Sequence, residues 1–188
     1  MPFAVGMNRA SIEEFEAAAL PHLPDLFRTA ARLTGDRGRA EDVVQEVYLQ
    51  AWKSFHRFTL GTNCRAWLFK ILMNTLHHDR RKWFSLRSMQ PAEKDFEDTL
   101  MYAPPVPEKL TDQEVLSALD RVPTEFRAVI LLADVEEFSY KEVALMLEIP
   151  IGTVMSRLSR GRKLLREMLA GLARSYGIGN APQEGKGA

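Results

Sequence analysis

The chain has 188 residues with 25 basic and 25 acidic side chains, giving a formal net charge of zero. That length holds one large or two small domains, and the single cysteine, Cys64, excludes an intramolecular disulfide and fits a reducing compartment. No uncharged apolar run approaches the length that crosses a bilayer, and Glu13, Glu14 and Glu16 stand where a leader would be basic and then apolar, so a cytoplasmic protein without membrane insertion is expected.

The balanced charge conceals segregation. Thr62 to Ser88 carries six basic residues against Asp79 alone, and Ser139 to Tyr176 carries seven against Glu142, Glu148 and Glu167. Met89 to Glu114 reverses the sign, with seven acids against Lys94 and Lys109. Two basic blocks separated by acidic material point to two separate contacts with a polyanion.

In chain order, Met1 to Ala10 reads as a loose terminus. Ser11 to about Leu33 has a helical pattern interrupted near Leu20-Pro21 and Pro24, with Phe15, Leu23, Leu26, Phe27, Ala30 and Leu33 as expected core. Gly35-Asp36 is a turn. From about Arg39 to Phe55, Val44, Val47, Tyr48, Ala51 and Phe55 form one buried stripe. Leu49 lies on the other side among Asp42, Gln45, Glu46 and Lys53. Two readings of Leu49 stand level: a single exposed leucine, which is ordinary, or the centre of a partner-binding face.

After a short loop, a helix is expected from about Cys64 to Trp83 on a core of Leu68, Phe69, Leu72 and Leu76. Its second stripe is Trp67, Ile71, Asn74, His78 and Arg81. Aromatic and amide groups in line with Arg80, Arg81 and Lys82 suit a single strand, whose bases stack and whose phosphates need neutralising. The plainer alternative makes Trp67 core. His77 and His78 point apart and lack ligands at metal spacing, so neither a metal site nor a cofactor is expected.

Met89 to Leu110 holds four prolines and little periodicity, as in a flexible acidic linker. Its 22 residues, fully extended, span roughly 70 Å, about two turns of B-DNA at ~34 Å each. A second domain starts near Thr111, with Thr111 and Glu114 as a capping box. Val115, Leu116, Leu119 and Val122 make its first apolar face. Pro123 breaks the chain before a helix from about Thr124 to Val135, on Phe126, Val129, Ile130, Leu132 and Ala133.

Ser139 to Leu165 holds two helical periods separated at Glu148-Ile149-Pro150. The first has the apolar face Val143, Ala144 and Leu147 behind a capping box of Ser139 and Glu142. In the second, Val154, Leu158, Gly161 and Leu165 form a buried seam. The opposite face carries Thr153, Ser156, Arg160 and Lys163, flanked by Arg157 and Ser159. Small hydroxyls with basic groups on a second helix fit a helix-turn-helix lying in a major groove. The alternative is an αα-hairpin with a solvated basic face. Beyond Tyr176 the tail is Gly-rich, and disorder is expected there. The fold class expected is all-α, two small helical domains (11–88 and 111–176) joined by a linker (89–110), with a tail at 177–188.

Both halves resemble the bacterial extracytoplasmic-function (group IV) sigma factors of RNA polymerase. The matching stretches are AEDVVQEVYLQAW (Ala40–Trp52), GTNCRAWLFKILMNTLHHDRRK (Gly61–Lys82) and FRAVILLADVEEFSYKEVALMLEIPIGTVMSRLSRGRKLLRE (Phe126–Glu167). They occur in the family's order, and the resemblance covers nearly everything from Phe15 to Leu169. It implies that Asp42, Gln45, Glu46 and Leu49 contact the clamp helices of the polymerase β′ subunit, and that the β flap and an anti-sigma factor are further partners. It implies that Gly61–Lys82 opens the promoter −10 region and captures a flipped base, an unstacking that costs about a few kcal/mol. His56, Asn63, Cys64, Arg65, Trp67, Lys70, Asn74, His78, Arg80, Arg81 and Lys82 would serve there. Lys141, Thr153, Met155, Ser156, Arg157, Ser159, Arg160 and Lys163 would read the −35 element.

Three positions depart from the common family pattern: Met155 where Lys or Arg is frequent, Ser159 where a larger side chain is usual, and Cys64 in the base-capture region. They bear on the promoter sequence rather than the function. LLADVEEFSYKEVA with PIGTVMSRLSRGR is closest to the group that answers thiol oxidation, whose anti-sigma partners carry zinc. Two other classes stand beside this one. A one-component regulator would use Phe15–Ser88 for ligand binding or dimerisation and would select a palindrome. An enzyme would need a base for Cys64, for which His56 is the sequence-near candidate; no Gly-rich phosphate loop or carboxylate pair supports it.

Overall fold

Two prolines divide the first helical stretch. The computed structural model describes residues 9–86 and 112–175, with side chains placed for 12–78 and 114–171. Helix α1 (Arg9–Ala19) gives way to one tight turn at Leu20–His22, with Pro21 in its first positions, and α2 (Leu23–Thr34) restarts with Pro24 at its own start. A proline there loses no hydrogen bond, because the first N–H groups of a helix are unpaired anyway. Gly35 ends α2 in the left-handed region at φ 70°, its N–H bonded to Ala31 O. Asp36 then caps α3 (Arg37–Ser54) by accepting from the Arg39 N–H at 2.7 Å. A second tight turn (Phe55–Arg57) and a loop lead to α4 (Cys64–Leu86).

Helices α2, α3 and α4 pack on one another with Leu26, Ala30, Val43, Val44, Val47, Ala51, Leu68, Phe69 and Leu72 at the centre. Fully burying each of the larger side chains is worth about 1.5–3 kcal/mol. Phe15 meets Tyr48, Trp52 and Phe55 edge-on at 5.0–6.3 Å and closes one end of this half. Leu23 does not join the core. It is 41% exposed: it is the first residue of α2, directly after the tight turn, and the expectation marked the interruption there but still counted Leu23 as core. Met73 fills a core place that the pattern did not mark.

The second half begins with α5 (Asp112–Arg121) and α6 (Thr124–Ile130). Thr111 lies outside the described residues, as do 87–110 and 176–188, so the linker, the tail and the Thr111 cap are not addressed by the structure. The helix expected to run to Val135 changes character at Leu131: Glu136 N–H bonds Leu131 O at 2.8 Å, five residues back, and Leu131–Val135 form a wide turn. Glu137 follows in the left-handed region at φ 56°.

Ser139 caps α7 (Tyr140–Leu147) in a complete capping box with Glu142. Glu148 at φ 55° stops it, its N–H on Ala144 O, and Pro150 opens α8 (Ile151–Ser175), accepting from Thr153 and Val154. Val154, Leu158 and Gly161 are buried along α8, with Leu165 half-buried. At Gly161 the contact with α6 leaves no room for a side chain: a Cβ would stand 2.9 Å from Ile130 Cδ1 and 3.1 Å from Phe126 Cβ.

The two halves are not held apart. Helix α4 packs on α7 and α2 touches α6, and the apolar core runs across the junction through Phe69 and Phe138, whose rings meet edge-on at 5.0 Å.

Candidate nucleic-acid interface

Three surfaces follow from these elements. On α3, Asp42, Gln45 and Glu46 are exposed beside Leu49, which is 46% exposed. Val43, Val44 and Val47 tie the opposite side of the helix into the core, so the face stands rigid and outward. Gln50 donates to Glu46 Oε1 at 2.8 Å, holding one carboxylate in place.

The second surface surrounds the start of α4. Asn63 accepts from the Ala66 N–H through Oδ1 at 3.0 Å, the geometry of an N-cap, and donates through Nδ2 to Glu142 Oε1 at 3.1 Å. His56 is exposed and accepts from Arg57 Nε. Lys70 and His78 are exposed and Asn74 is half-buried. Trp67 is half-buried, stacked on Phe58 at 4.8 Å and tilted against Phe55; the stack holds the loop before α4 and leaves part of the indole open. Cys64 is half-buried, and burial raises its thiol pKa, the opposite of what a nucleophilic thiolate needs. The side chains of Arg80, Arg81 and Lys82 lie outside the described residues.

Arg65 was expected to face DNA. Here it is committed inside the protein: its guanidinium pairs with Glu136 and Asp25, donates to Glu136 O at 2.7 Å, and lies over the rings of Phe69 and Phe138 at 5.1 and 4.5 Å. Glu136, 2% exposed, also accepts from Arg28 at 3.0 Å and Thr29 Oγ1 at 2.9 Å. Arg28, Thr29 and Arg65 converge on Glu136 in a site that periodicity could not reveal, because they lie 71 to 108 residues away from it.

The third surface is the outer face of α8. Ser156, Ser159, Arg160 and Lys163 are exposed, Met155 is 54% exposed, and Thr153 and Arg157 are half-buried. Arg157 lines a cleft of about 800 Å³ between the halves, opposite Leu33 and Met73. Lys141 is exposed on α7. Arg162, the next cation along, pairs with Asp134 at 2.5 and 3.0 Å, which raises its pKa and bolts α8 to the wide turn. The hydroxyls and the free cations therefore share one face, while the paired cation serves the fold. Among the described residues no group of His, Cys, Asp and Glu is arranged to hold a metal.

Residues 19–83 match the family described as Sigma-70 region 2, and residues 112–165 match Sigma-70, region 4. The ECF RNA polymerase sigma factor EcfG of Rhodopseudomonas palustris is 35% identical over 150 residues, 80% of this chain and 82% of that protein. The chain belongs to the ECF RNA polymerase sigma factors. As such it binds core RNA polymerase and promoter DNA to direct initiation, and it is not an enzyme.

Another sigma factor, SigE of Mycolicibacterium smegmatis, is 33% identical over 87% of this chain, which spans 64% of SigE's length. Among solved structures, the sigma factor RpoE of Bartonella quintana, in complex with the anti-sigma factor NepR, is 32% identical. It superposes with a TM-score of 0.67 over 84% of this chain and 98% of its own. CnrH, in complex with the cytosolic domain of CnrY, superposes at 0.55 with 22% identity and shows the shared fold. Among the described residues of this sigma factor, no helix is long and apolar enough to cross a membrane.

Proposed function

We propose that this sigma factor works in the cytoplasm with a division of labour along the chain, and is restrained by an anti-sigma factor until a stress signal arrives. The face of Asp42, Gln45, Glu46 and Leu49 docks on the polymerase clamp. The start of α4, with His56, Asn63, Lys70, Asn74 and His78, holds the opened −10 strand. The outer face of α8 reads the −35 element. The observation that carries this reading is the outer face of α8: Val154, Leu158, Gly161 and Leu169 are buried on its inner side, and Ser156, Ser159, Arg160 and Lys163 stand exposed on the other. Small hydroxyls let the helix approach base edges, and Arg160 reaches guanine or phosphate. Met155 offers a thioether where the family often has a cation, which suits a thymine methyl better than a phosphate. Restraint by an anti-sigma factor is supported by the similarity to RpoE, which was solved with one bound.

The test is selection of promoters from a random pool with reconstituted holoenzyme. Recovery of sequences with two separated conserved elements is expected. A single palindromic motif, or no initiation with any core enzyme, would sink the reading.

A further inference from the structure

Glu136 is a fully buried carboxylate whose side-chain donors all belong to the other half of the molecule. Arg28 and Thr29 on α2 hold one oxygen at 3.0 and 2.9 Å, and Arg65 on α4 holds the other. Arg65 also donates to the Glu136 carbonyl at 2.7 Å. A buried carboxylate without such partners is strongly disfavoured, so the two halves are tied together at this point. The chain builds the contact deliberately: the wide turn at Leu131–Val135 and the left-handed Glu137 swing Glu136 and Phe138 out of α6 towards α4. Around it, Asn63 bonds Glu142, Arg32 pairs with Asp120 at 2.9 Å, and Arg127 donates to Arg32 O at 2.7 Å.

The tie occupies the residues that stand at the start of α4, where the proposed −10 surface lies. The clamp-facing side of α3 and the outer face of α8 remain open in the same arrangement. Geometry forbids this arrangement on a promoter. Elements centred near −10 and −35 lie about 25 base pairs apart, roughly 85 Å at ~3.4 Å per pair, whereas α4 and α7 here are in contact.

We propose that Glu136 is an intramolecular latch, which holds the free sigma factor closed by occupying Arg65 and opens when polymerase separates the halves. This rests on the reading of the α4 start as the −10 surface. In the closed state the free chain displays its polymerase-docking face but not a complete −10 surface, so isolated sigma factor is kept from single-stranded DNA. Binding to core then carries the cost of opening, since apparent affinity is reduced by the fraction of open molecules.

The experiment compares the full-length wild type with Glu136→Gln, which keeps the side chain's size but removes its charge. Small-angle scattering of the wild type is expected to give a radius of gyration close to the compact value of about 16 Å for a chain of this length. Glu136→Gln is expected to expand, to bind a −10 single-stranded oligonucleotide several-fold more tightly without polymerase, and to initiate normally at saturating core. An expanded wild type at low salt would overturn the latch whatever the variant does. So would a Glu136→Gln protein as compact and as poor in oligonucleotide binding as the wild type. If wild-type holoenzyme initiates nowhere, the sigma reading itself fails; if it initiates while the scattering expectations fail, only the latch does.

Discussion

Ser139 shows how much a few residues settle when the relation is local. Its hydroxyl accepts from the Glu142 N–H while the Glu142 carboxylate accepts from the Ser139 N–H at 2.9 Å, and three residues of sequence were enough to read it. Hydrogen bonds from Ser139 hold the Glu142 carboxyl below its usual value, so the stability it lends is present at neutral pH and is lost as pH falls through that lowered value. Ser139→Ala should cost about 1 kcal/mol in urea unfolding at neutral pH. Gly161 is equally local in sequence but its reason is not: only the packed structure puts Ile130 and Phe126 against it. Gly161→Ala should destabilise by about 1–3 kcal/mol through overpacking, measurable as a lower thermal midpoint. Tyr48 donates to Ala19 O at 2.8 Å, and its pKa is pushed up to about 12 by burial, with Cys64 adding to the effect. The folded state therefore keeps a proton that the unfolded chain gives up, and wild-type stability falls as pH rises from 10.0 towards about 12. Tyr48→Phe should cost about 1 kcal/mol at neutral pH and show a flatter decline over that alkaline window.

At the scale of elements, helix periodicity carried most of the information. The buried sides of α3, α4 and α8 fall where the spacing of Val, Leu and Phe puts them, because a helix must turn its apolar stripe to the core. The same periodicity identified Leu49 as outward, and the proposed docking on the polymerase clamp uses that face. Leu49→Ala should weaken binding to core polymerase on the order of tenfold, with unchanged helicity by circular dichroism as the control. On α8, the distinction between free and paired cations was beyond periodicity. Arg160 and Arg162 are two residues apart and equally basic, yet Arg162 is spent on Asp134. Arg160→Ala should cost about 1–3 kcal/mol of promoter affinity, with the loss confined to the upstream element. Leu23 shows the opposite failure: the prolines marked the break, but not which side of it the first residue of α2 would face, and a residue counted as core is open to solvent.

For the whole molecule, the two basic blocks and their order along the chain were visible in one dimension, and they correspond to the two halves of the fold. The junction was not. Arg65 sits in a basic block and was read as a DNA contact, but its partner Glu136 lies 71 residues away, and no periodicity links positions in different domains. Under the proposed latch the two assignments are two states of one side chain: paired with Glu136 in the closed molecule, and free once the halves separate. The connecting segment has the length to let them separate by roughly 70 Å, so opening needs no break in either helical half. The central claim is that one chain grips a promoter at two distant places and opens the downstream one. The most direct measurement is a permanganate and hydroxyl-radical footprint of reconstituted holoenzyme on a selected promoter. Two separated protected patches with reactive, unpaired thymines only at the downstream one are predicted, the upstream patch fading in Arg160→Ala. One continuous protected site with no unpaired thymines would contradict it.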